Sequence, residues 1–112
     1  MVYSTTELES IVTEYISEAL KRVNDIDEIW LFGSYAEGKA HDDSDIDLAV
    51  ISSHFGDNAL ETVKKLHRAL WDMNRAVDIE IHGFTNEDFL NGWIGKEIRG
   101  KGRRVYKKPG NL

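Results

Sequence analysis

The chain has 112 residues, 41% of them hydrophobic, no cysteine and a formal charge of −6. That length suits one small folded domain spanning 1–112, which buries roughly two-thirds of the surface its unfolded chain would expose and leaves no room for a second domain. The missing thiols exclude disulfides, thiolate metal sites and cysteine nucleophiles, and the acidic balance argues against nonspecific coating of nucleic acid, which depends on Lys and Arg displacing phosphate counterions.

Leu8, Ile11, Val12, Tyr15, Ile16, Ala19, Leu20 and Val23 draw one apolar stripe down a first helix. Ser4 with Glu7 and Thr6 with Glu9 each match the capping-box spacing at its start, and Asn24-Asp25 ends it. Ile29-Trp30-Leu31-Phe32, stopped by Gly33, is the pattern of a short strand buried on both faces. A second strand runs from Ile46 to Ile51, with Ile46, Leu48 and Val50 on one face and Asp45, Asp47, Ala49 and Ile51 on the other. From Asn58 to Asn74, the three- and four-residue spacing of Leu60, Val63, Leu66, Leu70 and Met73 predicts a second amphipathic helix, flanked by His67 and Trp71.

AVDIEIHGF (residues 76–84) alternates again, setting Val77, Ile79 and Ile81 against Asp78, Glu80 and His82. Thr85 can cap a further helix through Asp88, with Phe89, Leu90, Trp93, Ile94 and Ile98 as its apolar side. A basic run with a short strand at Arg103 to Lys107 closes the sequence. It reads as a solvated tail, with a surface for an acidic partner or RNA as the functional alternative. Trp30, Trp71 and Trp93 are expected in the core, and the four histidines form no ligand pattern, His82 being read as structural. The order of elements predicts an α/β (α+β) fold, one small mixed sheet with helices packed on it. No apolar run approaches the ~20 residues of a membrane span, so a cytoplasmic protein is expected.

The chemistry concentrates in LFGSYAEGKAHDDSDIDLAV (residues 31–50). Gly33-Ser34 follows a strand and can open a short helix at Ser34–Glu37, whose first backbone N–H groups would attract phosphate. Gly33 allows close backbone approach, and the Ser34 hydroxyl adds a donor. Asp45 and Asp47 then share a strand face, where two carboxylates repel unless a cation lies between them. Mg²⁺, which is held by one or two carboxylates plus substrate phosphates, suits that role. Asp78 supplies a third acid from another strand, in preference to Glu80 on the same face. Three such acids around two metals make a clamp for in-line displacement at phosphorus.

Gly33-Ser34, ten intervening residues and Asp45-Ile46-Asp47 together resemble the G-S-x10-D-x-D signature of the nucleotidyltransferase fold, the superfamily that includes DNA polymerase beta. The resemblance covers at least Ile29 to Ile81. The small size is most similar to the minimal nucleotidyltransferases, the MNT-domain proteins often paired with a HEPN-domain protein in toxin–antitoxin modules. It implies that Gly33 and Ser34 contact nucleotide phosphates, that Asp45 and Asp47 bind two Mg²⁺ ions, and that Asp78 binds the catalytic metal and assists deprotonation of the acceptor. The implied reaction transfers AMP from ATP to a hydroxyl, for the antitoxin branch a tyrosine of the HEPN toxin. The alternatives are a noncatalytic antitoxin, or an enzyme acting on a small molecule or RNA with its acceptor site completed by a partner or a homodimer. One departure stands out: family members often carry alanine, a basic residue and glycine after the Gly-Ser pair, whereas this chain has Ala36-Glu37-Gly38, and an acid there opposes a triphosphate.

Overall fold

A computed structural model describes residues 2–110. Helix α1 (Thr5–Arg22) begins at a full capping box: Ser4 Oγ accepts from the Glu7 backbone N–H at 3.1 Å, and Glu7 Oε1 accepts from that of Ser4 at 2.9 Å. The Thr6 and Glu9 pair lies inside the helix instead. Losing the Ser4 oxygen leaves a helix-end donor without its partner, so Ser4→Ala is expected to cost about 1 kcal/mol, measurable as a lower urea midpoint with an unchanged slope.

Asp25, with φ of 63°, reverses the chain into β1 (Ile26–Phe32), which begins ahead of its apolar run. Ile29 and Leu31 are fully buried, while Trp30 and Phe32 are half-buried on the opposite face. Then follow β2 (Ile46–Ser52), a short α2 (His54–Asp57), α3 (Ala59–Trp71), β3 (Ile79–Phe84), α4 (Asn86–Asn91), α5 (Trp93–Lys101) and β4 (Arg103–Lys107). The strands form one mixed sheet in the order β3-β2-β1-β4. β1 is antiparallel to both β2 and β4, and β2 is parallel to β3. A parallel neighbour requires a crossover of a dozen or more residues, which the segment carrying α2 and α3 supplies. Among the described residues no helix is long and apolar enough to cross a membrane.

One face of the sheet carries Ile29, Leu31, Ile46, Leu48 and Val50, and packs on α1 and α3. Tyr15 of α1, fully buried there, donates its hydroxyl to the Leu66 carbonyl of α3 at 3.0 Å, and burial pushes its phenol above the usual range. On the other face Ala49 and Ile51 pack against Phe89 of α4 and Ile98 of α5. The odd-numbered face of β2 is thus apolar where α4 and α5 cover it and acidic where they do not, at the end that carries Asp47.

Two helices differ from the sequence reading. In α3 the buried positions are Thr62, Leu66 and Ala69, followed by Met73, while Leu60 and Val63 face outward. Thr62 can sit inward because its hydroxyl donates to the Asn58 carbonyl at 2.8 Å, leaving no polar group without a partner. The single helix expected after Thr85 is two. Thr85 does cap α4, its Oγ1 accepting from the Asp88 N–H at 3.1 Å. Gly92 then adopts an extended conformation, its N–H closing α4 on Asp88 and its carbonyl accepting from Lys96 at the start of α5. The change of axis keeps Phe89 and Ile98 buried and turns Leu90, Trp93 and Ile94 out. Trp71 is also exposed, so of the three tryptophans only Trp30 packs against a core cluster.

Candidate active site

Register determines what meets Asp47. In the antiparallel pair it lies opposite Phe32, the last residue of β1, and in the parallel pair it lies beside Glu80. Gly33 follows Phe32 with φ of +76°, a left-handed conformation that side chains rarely adopt. A β-carbon there would stand 2.3 Å from Asp47 Oδ2, so the carboxylate occupies the space that the glycine leaves. The expected short helix at Ser34 is instead a series of turns. Ala36 and Glu37 both donate to the Gly33 carbonyl at 3.1 Å, and Lys39 donates to that of Ser34 at 2.8 Å. Ser34 is half-buried in this turn, and Glu37 lies 3.7 Å from the Lys39 ammonium.

His82 Nε2 lies 3.3 Å from Asp47 Oδ1 and 3.8 Å from Glu80 Oε1. The three side chains offer ligand atoms that all lie within 4.8 Å of one another. The edge of the His82 ring packs on Phe32, with 4.9 Å between ring centroids. Burial raises the pKa of Asp47, the hydrogen bond and charge of His82 pull it back, and the negative charges of Glu80 and Asp45 push it up again. A carboxylate so placed is relieved by a cation, and oxygen and imidazole donors are already gathered around it.

Asp45 and Asp78 are exposed, one step nearer the entrance of the parallel pair. The Asp78 carbonyl accepts from the Ile46 N–H at 2.9 Å, which brings the Asp78 backbone alongside that of Asp45–Ile46. Both side chains line a cleft of about 460 Å³ that also reaches Glu80 and His67. The fold therefore brings Asp47 together with Glu80 and His82, and sets Asp45 and Asp78 beside that group. His82 does not stand at the end of its strand, where the sequence reading placed it: it lies within β3, against Asp47. The available signal was its parity, shared with Asp78 and Glu80 along an alternating strand.

A mixed sheet with a glycine turn after its central strand and carboxylates on the next two strands is the arrangement of a nucleotidyltransferase domain. The chain matches the family "Polymerase beta, Nucleotidyltransferase" over residues 14–109, and it belongs to that family. Among solved structures it is similar to a candidate nucleotidyltransferase at 31% identity and a TM-score of 0.63, covering 87% of this chain and 99% of the other. A toxin–antitoxin structure with AMP-PNP aligns at 25% identity and a TM-score of 0.55, over 84% of this chain and 72% of that one. A further candidate nucleotidyltransferase, from Sulfolobus solfataricus, shares the fold at a TM-score of 0.69 and 15% identity, over 92% and 83% of the two chains. A comparison with curated proteins gave no significant match.

Proposed function

We propose that this chain is a minimal nucleotidyltransferase domain that transfers AMP from ATP to a hydroxyl, most specifically a tyrosine of a HEPN-type toxin for which it serves as antitoxin. The observation that carries the reading is Asp47, held between the Gly33 turn and the acidic face of β3 with Asp45 two residues away. The similarity to a toxin–antitoxin structure with AMP-PNP supports both the nucleotide and the partner.

Asp45, Asp47 and an acid of β3 would hold Mg²⁺, which when bound neutralises triphosphate charge and favours the ionised form of an acceptor hydroxyl. The family resemblance implies Asp78 as the β3 acid, while proximity to Asp47 favours Glu80. Gly33 allows the backbone to approach the phosphates, and the Ser34 hydroxyl donates to them. In the transfer, a bond forms between the acceptor oxygen and the α-phosphorus, and the bond from that phosphorus to the bridging oxygen breaks. Pyrophosphate leaves, and the proton of the acceptor passes to a β3 carboxylate or to water.

The test is incubation with Mg²⁺, ATP labelled on the α-phosphate and the proteins that co-purify with the chain. Label on a tyrosine of a co-purified protein is the expected result. Label on RNA or on a small product would overturn the protein acceptor, and tight partner binding without any label would overturn the enzymatic reading.

A further inference from the structure

Trp93 is three-quarters exposed, and unlike Trp71 of α3, which is also exposed, it lies on the side of the sheet that carries Asp47 and His82. It opens α5 directly after the Gly92 break, with Ile94 beside it and also exposed. Both line a cavity of about 400 Å³ between α5 and the end of β1. Gly33 and His82, both of which lie against Asp47, line the same cavity. Phe32 and Ile98 add further apolar wall, and Glu37, Glu97 and Lys101 add charge. The Lys101 ammonium is held by Glu97 at 3.1 Å, one turn earlier on α5.

We infer that this cavity is the nucleobase subsite of the centre, with the Trp93 indole as the stacking surface for the base. The inference rests on the nucleotidyltransferase reading above. Three observations carry it. The cavity is continuous with the Gly33 turn, so a nucleotide whose phosphates reach that turn can extend its nucleoside along α5. Its volume falls in the range of small-ligand pockets, and it combines apolar walls with a few polar groups, as such pockets do. An exposed indole gives a base a flat partner whose stacking tolerates any base identity, and the carboxylates of Glu37 and Glu97 are acceptors suited to an exocyclic amine. This also gives Glu37 a place: it lines the base cavity together with Lys101, whose pKa is raised by Glu97 first and by Glu37 in lesser part.

The experiment compares calorimetric binding of Mg·ATP and of Mg·tripolyphosphate, which has the phosphates without the base. It uses the full chain, Trp93→Ala and Trp93→Phe, each checked for native circular dichroism. Because Trp93 is exposed, its replacement leaves the core intact. Trp93→Ala is expected to weaken Mg·ATP about tenfold, in line with the loss of one base–aromatic stack. Trp93→Phe should recover most of that loss, and tripolyphosphate should bind all three proteins alike. Unchanged ATP affinity in Trp93→Ala would overturn the inference, as would an equal loss of both ligands, which would mark a structural or electrostatic effect. Those outcomes leave the nucleotidyltransferase reading standing. If neither ligand binds the unaltered chain, that reading fails and the base subsite fails with it.

Discussion

Asp47→Asn is expected to lower nucleotidyl transfer by more than about a hundredfold and, in the same molecule, to raise the thermal midpoint of the metal-free protein. The first effect follows from removing a charged metal ligand at the centre of the site, where even supporting groups are worth about 10–100-fold. The second follows from the sign of its pKa shift. Burial, with Glu80 and Asp45 nearby, raises the folded pKa of Asp47 above that of the unfolded chain, despite the opposing contribution of His82. An acid shifted upward costs the fold stability once it ionises. The penalty is absent below the unfolded aspartate range and grows as pH rises through the folded pKa. Asparagine carries no such charge and can still accept the hydrogen bond from His82. Its advantage should therefore appear at pH 7 and shrink toward pH 3, measured as the difference in midpoint by circular dichroism at the two values. A midpoint below that of the unaltered protein at pH 7 would refute the account of Asp47, whatever the activity. Asp78→Asn and Glu80→Gln, assayed in parallel, identify the third carboxylate: the one whose loss approaches that of Asp47→Asn is the ligand.

Gly33→Ala should be nearly as damaging to activity, and for a different reason. A non-glycine residue in the left-handed region costs about 1–2 kcal/mol. Its methyl group would also lie 2.3 Å from Asp47 Oδ2, forcing the carboxylate out of its place beside His82. The expected result is a lower denaturation midpoint together with lost transfer. A double-mutant cycle with Asp47→Ala separates the two contributions. With the carboxylate gone, the added stability cost of Gly33→Ala should fall to the conformational part alone. Strict additivity would show that the two residues do not meet.

Much of this architecture is legible in the sequence, because it is encoded locally. The stripe and capping box of α1, the alternation of β2 and β3, and the Thr85 cap are each set by residues a few positions apart, and each is present in the fold. Alternation also placed Asp45, Asp47, Asp78, Glu80 and His82 on matching strand faces. Register was not legible. Whether Asp47 lies beside Asp78 or Glu80 depends on how α3 seats the returning strand, and shifts of two residues preserve the same alternation. Helix phase was hidden for a related reason. Leu60 and Val63 read as core because they are apolar, yet Thr62 takes the inward place by bonding its own hydroxyl to the backbone. Trp93 was misjudged through Gly92, whose break turns a continuous apolar stripe into two helices with different inward faces.

β4 stands at the open end of the sheet, where the strand beyond it would be that of another molecule. An edge of this kind is a template for uncontrolled polymerisation unless it is guarded, and lysine or arginine along it is a common guard. Arg103, Arg104 and Lys107 are exposed on this strand. A second copy approaching edge to edge would set its own cations against these, which opposes pairing along this edge.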